Sequence, residues 1–154
     1  MSVVAFYHLT KFNLAQALPK LLEKTLKLEK RCIVKTVNEQ QAEQLADGLW
    51  TYDAHSWLPH GTKKDGFSER QPIWITSEDD NPNEAEFLFL THSAQQDDIT
   101  AYERCFVVFD GREQHAVDQA RKLWVQYKNA DHELTYWQQT DQGGWTKKNE
   151  TKKG

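Results

Sequence analysis

The sequence lacks the glycine-rich turns that nucleotide-binding domains commonly use to hold phosphate groups. The first expected strand-to-helix turn reads HLTKFN and the second reads TVNEQQ, and neither contains glycine. Without glycine the backbone cannot come close to phosphate oxygens, and no GxxxxGK(S/T) phosphate loop occurs elsewhere in the chain. The sequence therefore argues against an enzyme that binds a nucleotide through such a turn.

Long hydrophobic runs are also missing, and cysteine is scarce. No apolar run approaches the length of a membrane span, and no N-terminal segment has the apolar core of a signal peptide. The two cysteines, Cys32 and Cys105, lie inside apolar segments, where we expect buried free thiols in a reducing compartment. These features predict a cytoplasmic protein without membrane contact.

An excess of basic residues is absent as well. The net charge of -4 argues against a protein that wraps nucleic acid by bulk electrostatics, so we expect no strong direct nucleic-acid binding. The six histidines show no metal-type spacing with one another or with the cysteines, and no GxSxG elbow is present. We predict no catalytic residue, metal site or cofactor, and we expect the acidic turn Glu78–Asp80 to be solvated.

The order of the sequence patterns predicts the fold class. A length of 154 residues suits one domain with a substantial core. Strand, helix, strand, helix, several strands and a last helix follow one another, which predicts an α/β, three-layer, Rossmann-like domain. Its mostly parallel sheet is flanked by helices and has no nucleotide-binding glycine loop. We expect the domain to span residues 1–146, with the basic residues 147–154 as a flexible C-terminal tail.

Helix starts are indicated by side chains with the spacing of a capping box. Asn38 is followed by Gln41, and Asp110 by Glu113, which predicts helices that begin after each pair. The last helix should run to about Ala130.

An aromatic stretch, LADGLWTYDAHSWLPHG at residues 45–61, begins as an amphipathic helix and ends as an irregular loop, because Pro59 forces Leu58 into an extended conformation. Trp50 lies at the end of the helix, and Trp57 lies in the loop. Two interpretations stay open. Either the loop packs back onto its own core, or its large apolar groups form a patch for another protein.

The last predicted helix has two distinct faces, because successive residues turn by roughly 100°. Its core stripe consists of Ala116, Ala120, Leu123 and Tyr127. A neighbouring face consists of Val117, Arg121, Trp124 and Lys128. That face is either a partly buried Trp covered by long cationic side chains, or a pocket for a ligand with an aromatic group and negative charge.

Several collinear motifs resemble one known family. They are VAFYHLT at residues 4–10, LWTYDAHSWLPHG at 49–61, Asp65-Gly66, QPIWIT at 71–76 and NPNEAEFLFL at 81–90. In order and spacing they are similar to the chi subunits of bacterial DNA polymerase III, over roughly residues 2–146. The resemblance implies a mononucleotide-binding type of fold that uses no nucleotide. It also implies a non-catalytic adaptor that links the clamp-loader complex to single-stranded-DNA-binding protein on the lagging strand.

The resemblance also assigns two binding surfaces. The acidic C-terminal tail of the single-stranded-DNA-binding protein would contact Arg121 and Trp124 on the last helix, with Val117 and Lys128 beside them. Val125 stands where the best-known members have lysine, and Trp124 replaces a tyrosine, so the location of this site is implied more firmly than its strength.

The second implied surface is the aromatic loop, where Trp50, Trp57, Leu58 and Pro59 would bind the psi subunit or an equivalent clamp-loader or helicase partner. The alternative functions are a small α/β nucleotide- or metabolite-binding enzyme, and a protein that stacks single-stranded DNA on Trp124.

Overall fold

A computed structural model of the chain describes residues 1–51 and 58–151. Within these residues the elements follow one another as β1 (Val3–Leu9), α1 (Leu14–Lys27), β2 (Cys32–Lys35), α2 (Glu39–Thr51), β3 (His60–Gly61), a short 3-10 helix (Ser68–Arg70), β4 (Ile73–Thr76), β5 (Phe87–Leu90), β6 (Arg104–Asp110), α3 (Gln114–Asn129), β7 (Glu133–Gln139) and β8 (Trp145–Glu150). The strands form one sheet in the order β3-β4-β2-β5-β6-β1-β7-β8.

The sheet is parallel throughout except at one end, where β7 and β8 form an antiparallel hairpin. α3 packs against one face, and α1 and α2 pack against the other, so that the core is divided into two clusters of buried side chains. This arrangement confirms the predicted α/β fold with a mostly parallel sheet and flanking helices. The finer likeness to a Rossmann domain stays a prediction.

β1 lies inside the sheet, paired in parallel with β6 on one side and with β7 on the other. Side chains alternate along a strand, so Phe6 and His8 face α3, while Tyr7 and Leu9 face the layer of α1 and α2. The connection from β6 to β7 must pass over β1, and α3 makes this crossing. α3 is thereby fixed above the side chains of β1.

The helix starts agree with the sequence only in part. At α2, the Asn38 side chain accepts a hydrogen bond from the Gln41 backbone N–H at 2.9 Å, as the capping pattern predicted. At α3 the predicted capping box is wrong, because Glu113 is the N-cap residue and forms no side-chain cap bond. Asp110 instead accepts hydrogen bonds from Arg112. α1 begins with a complete capping box, formed by Asn13 and Gln16, that the sequence analysis missed.

The turn between β1 and α1 is held by a side chain from the far end of the chain. Gln139 is buried, and its Oε1 accepts hydrogen bonds from the backbone N–H groups of Thr10, Lys11 and Phe12 at 3.2, 3.1 and 2.9 Å. The Thr10 hydroxyl donates in return to the Gln139 carbonyl oxygen at 2.9 Å. An amide oxygen therefore occupies the donors that a phosphate-binding turn of this type would offer to its ligand.

The first residues of the predicted C-terminal tail belong to a strand. Residues 147–150 belong to β8, which pairs with β7 through Lys147, Asn149 and Glu150, and the backbone N–H of Thr151 donates to the Leu134 carbonyl oxygen at 2.9 Å. The sheet therefore continues beyond residue 146, the limit that the sequence predicts for the domain. Residues 152–154 lie outside the described part of the chain.

The cysteines and the described helices agree with what the sequence predicts about buried thiols and apolar runs. Cys32 and Cys105 are buried and free, as predicted, and burial raises the pKa of both thiols, so they are held in the protonated state. In residues 1–51 and 58–151, no helix has the length and apolar character needed to cross a membrane.

We expect Gln139→Ala to lower the free energy of unfolding by about 1–3 kcal/mol, because three backbone donors lose their shared acceptor. Gln138→Ala, a truncation at the adjacent and less buried position of β7, serves as the control. Urea unfolding of both variants measures the difference. Equal losses for the two variants would mean that the Gln139 amide does not hold the turn.

Candidate binding surfaces

A cleft of about 600 Å³ lies between α3 and the β7–β8 hairpin, and we call it the α3 cleft. Its floor is formed by aromatic rings from three neighbouring strands, Phe6 on β1, Phe109 on β6 and Tyr136 on β7. The Trp124 ring from α3 meets Phe6 edge-on at 5.2 Å between ring centroids, and meets Tyr136 at 6.1 Å. Edge-to-face contacts of this kind are a preferred arrangement of aromatic rings and add to the packing energy of the cleft.

The polar groups of the floor are linked to one another. The Tyr136 hydroxyl and the His8 Nδ1 atom lie 2.6 Å apart. Burial raises the pKa of Tyr136, and the Arg121 guanidinium acts in the opposite direction. Burial lowers the pKa of His8, against the effect of the nearby Asp110 carboxylate. The floor therefore presents a neutral Tyr136 close to the positive charge of Arg121.

The charge of the α3 cleft is opposite in sign to that of the whole chain. Arg121 and Lys148 line it, and among its described lining residues there is no aspartate or glutamate. The ion pairs found within residues 1–51 and 58–151 include neither of these two cations. The cleft thus combines an aromatic floor with cations that are available to a ligand.

The structure brings together three of the four residues predicted for the second face of the last helix. Val117, Arg121 and Trp124 line the cleft together, whereas Lys128 is exposed one turn further along and does not line it. Val125 lines the cleft and is 56% exposed.

The lining residues outside α3 were not predicted from the sequence. They are Phe6, His8, Phe109, Tyr136, Lys148 and Asn149. They lie on strands far apart in the sequence, and only the order of the strands brings them together.

A second surface surrounds β3, the edge strand that follows the aromatic loop. Trp50 is 56% exposed, and its ring lies 4.0 Å from the His60 ring. The two ring nitrogens of His60 lie 2.6 and 3.0 Å from the backbone oxygens of Leu58 and Ala46, which ties β3 to α2. Pro59 is partly exposed.

Of Leu58 and Trp57, both predicted for this surface, the structure describes only Leu58. Leu58 is 3% exposed and packs in the core cluster beneath α1 and α2, so it is not available to a partner, and its assignment to the contact surface is wrong. Trp57 lies outside the described residues.

Phe67 is an exposed aromatic residue near β3 that the sequence analysis missed. The residue is 67% exposed, and its backbone has the left-handed φ of 55°, which is costly for a bulky residue. The preceding Gly66 is tied to β3 through Gln71, which donates to the Gly66 oxygen at 3.3 Å and whose side chain packs against Gly61. We call Trp50, Pro59 and Phe67 the β3-edge surface.

The carboxyl ends of the strands carry a cavity of about 690 Å³, where an α/β enzyme would bind its substrate. Asp110 and Glu113 line it, together with His92 and His115, and its described lining includes no lysine or arginine. A phosphate group placed there would meet the Glu113 carboxylate and an Asp110 carboxylate that is already paired with Arg112, and no lysine or arginine among the described lining residues. This charge pattern disfavours the nucleotide-binding alternative.

The acidic turn after β4 has a structural partner. The Lys35 side chain is 7% exposed, and its ammonium pairs with the Asp79 carboxylate and donates to the Gln95 carbonyl oxygen at 2.6 Å. The turn therefore neutralises a buried cation. Within the described residues, no group of three or more His, Cys, Asp or Glu side chains is placed to hold a metal ion.

Comparison with known proteins gives the family of this molecule. The sequence model of the family described as DNA polymerase III chi subunit, HolC, matches residues 1–135. The chain belongs to this family. A protein of Rickettsia prowazekii (strain Madrid E), named probable DNA polymerase III subunit chi, is 34% identical over 90 residues. The alignment covers 58% of this chain and 54% of that relative, so the chain spans about half the length of the curated relative it matches.

Membership of the chi family confirms the resemblance found in the motifs and supports an accessory role in DNA replication. The family model matches only part of the α3 cleft. α3 lies within residues 1–135, whereas Tyr136 and the whole of β8 lie beyond them. The hairpin side of the cleft therefore belongs to a part of the chain that the family match does not cover.

We expect millimolar ATP, GTP and NAD to leave the melting temperature unchanged, because Gln139 occupies the turn donors and carboxylates line the carboxyl-end cavity. A thermal-shift assay at matched ionic strength, with sodium sulfate as the control, makes the measurement. A reproducible upward shift with one nucleotide, beyond that seen with sulfate, would favour the enzyme alternative.

Proposed function

We propose that this protein is a non-catalytic adaptor of the DNA replication machinery. In this proposal the α3 cleft binds the acidic C-terminal tail of the single-stranded-DNA-binding protein. The β3-edge surface binds the psi subunit or an equivalent clamp-loader or helicase partner, and the protein links the two on the lagging strand. The observation that carries the proposal is an aromatic cleft with available cations and no carboxylate in its described lining, in a chain of net charge -4.

The aromatic floor supports a ligand that ends in an apolar ring. Trp124 is half-buried and packs against the core cluster beneath α3, with Val117 beside it. A ring inserted between these side chains and Tyr136 would be removed from water on several sides. Burial of one aromatic side chain contributes about 1.5–3 kcal/mol, so the ring would supply part of the binding energy and the charged groups would have to supply more.

Arg121 supports a ligand that carries a free carboxylate. Its guanidinium has five N–H donors in a planar fork, which fits a carboxylate with two parallel hydrogen bonds. Because no described carboxylate pairs with it, a ligand would not have to displace an internal ion pair. Lysine at this position would supply the charge without the paired geometry.

The β3-edge surface supports a separate partner site. Trp50 and Phe67 are exposed aromatic residues, and aromatic residues are enriched among the anchors of protein interfaces. The left-handed backbone of Phe67 costs about 1–2 kcal/mol, which is unusual for a bulky residue that gains little from burial. β3 lies at one end of the sheet, and the β7–β8 hairpin that borders the α3 cleft lies at the other end. The two surfaces can therefore act at the same time.

We expect Arg121→Ala to weaken binding of an acidic tail by about 2 kcal/mol, since a charge pair within the cleft loses one partner. Trp124→Ala should weaken binding at any salt concentration, because ring packing is hardly screened. Lys128→Ala should have a smaller effect that fades as salt rises. The measurement is a titration of a labelled synthetic peptide with a run of aspartates and a C-terminal phenylalanine.

The matched control for Arg121→Ala is Lys122→Ala, which removes an exposed charge from the next position of α3 without altering the cleft lining. Circular dichroism shows whether each variant keeps its fold. If Arg121→Ala binds the peptide as tightly as Lys122→Ala does, with the fold intact, the tail site lies on another face.

For the β3-edge surface, we expect Trp50→Ala to weaken binding of the purified psi subunit or clamp-loader partner by about 2 kcal/mol. Stability should change little, because Trp50 is exposed. Leu45→Ala is the contrasting core variant and should lower stability by about 2–5 kcal/mol. A Trp50→Ala variant that unfolds easily and binds normally would show that this ring serves the fold.

A further inference from the structure

We infer that Lys148 of β8 forms a second cationic wall of the α3 cleft, opposite Arg121, and binds the side-chain carboxylates of an acidic peptide. The inference rests on the proposed function, because it takes the α3 cleft to be a peptide site. It adds a residue from outside the range that matches the chi family, and it assigns a separate part of the peptide to each side of the cleft.

The position of Lys148 depends on an irregularity in the β7–β8 pairing. Tyr136 is paired with Asn149, whereas the next residue, Trp137, is paired with Lys147, so Lys148 is an extra residue without a partner on β7. Such a bulge shifts the alternation of side chains by one position. As a result, the consecutive residues Lys148 and Asn149 both line the α3 cleft.

The neighbouring Lys147 faces the opposite way from Lys148. Lys147 belongs to the opposite face of the hairpin, where its ammonium lies 6.0 Å from the centre of the Trp137 ring and pairs with Glu150 at 3.1 Å. Lys148 is exposed and is absent from the ion pairs of the described residues. Of these two adjacent cations, one is neutralised within the hairpin and the other adds its charge to the cleft.

Asn149 adds a neutral donor beside Lys148. Its side-chain oxygen accepts a hydrogen bond from the Glu150 backbone N–H at 2.8 Å. The amide NH₂ group can then donate to a ligand that lies in the cleft. A carboxylate at this position would have an ammonium and an amide within the same wall.

The positive charge of the cleft favours an acidic peptide as its ligand. Arg121 on α3 and Lys148 on β8 border an aromatic floor, and no carboxylate lies among the described lining residues to cancel them. An extended acidic peptide with an apolar end can place its ring on the floor, its terminal carboxylate at Arg121 and its acidic side chains along β8. On the α3 side, Val125 offers no charge, so the additional positive charge comes from the hairpin.

The test compares Lys148→Ala with Lys147→Ala, two adjacent truncations on opposite faces of one strand. The probes are a labelled peptide with a run of aspartates and a C-terminal phenylalanine, and the same peptide with asparagines in place of the aspartates. At low salt, Lys148→Ala should weaken binding of the aspartate peptide roughly three- to fivefold, and this loss should shrink as salt rises. Lys147→Ala should bind as the unaltered protein does.

The asparagine peptide separates the roles of the two walls. It should bind more weakly to the unaltered protein, and it should bind Lys148→Ala and the unaltered protein equally. Arg121→Ala should still weaken its binding, because the terminal carboxylate remains. If Lys148→Ala matches Lys147→Ala on the aspartate peptide while Arg121→Ala weakens binding, the inference about Lys148 fails and the tail site stands. If Arg121→Ala also has no effect, the proposed function of the cleft fails with it.

Discussion

The parallel pairing of β1 with both β6 and β7 is the constraint on which the rest of the molecule depends. Parallel neighbours cannot be joined by a tight turn, so the chain that leaves β6 must cross β1 outside the sheet before it enters β7. α3 makes that crossing. Its contact between Trp124 and Phe6 and the cleft beside this contact both follow from the crossing. The antiparallel β8 then extends the sheet past β7 and closes the cleft from the side.

Periodicity along one element was enough to predict part of the site. Val117, Arg121 and Trp124 could be grouped from the sequence because a helix places residues three and four apart on the same face, whatever it packs against. Phe6 and Tyr136 could not be grouped with them. Their proximity depends on the order of the strands, which no local pattern encodes. The face of Lys148 could not be predicted either, because the sequence indicates no strand at residues 147–154, and strict alternation along β8 would not anticipate a bulge.

Composition alone also failed to separate core from surface in the aromatic stretch. Trp50 and Leu58 are both large and apolar, yet one is 56% exposed and the other 3%. The difference is one of position, because Leu58 lies two residues before β3 and packs in the core cluster of α1 and α2, whereas Trp50 lies at the exposed end of α2. Gln139 gives a parallel case among polar residues. Its hydrogen bonds to the β1–α1 turn join residues 127–129 positions apart in the sequence. The sequence shows that this turn has no glycine, but it does not show that Gln139 binds the turn.

Under the proposed function, the contrast between the global and local charge has a physical use. At physiological ionic strength, exposed charges are screened beyond about 8 Å, so a peptide inside the cleft experiences mainly the cations that line it. A nucleic acid strand is much longer than the cleft and must also meet the acidic remainder of a chain with net charge -4. A short acidic tail is therefore attracted to the cleft, whereas a nucleic acid strand is repelled by the rest of the protein surface. An adaptor that works beside single-stranded DNA needs that discrimination, and a small basic cleft in an acidic protein provides it.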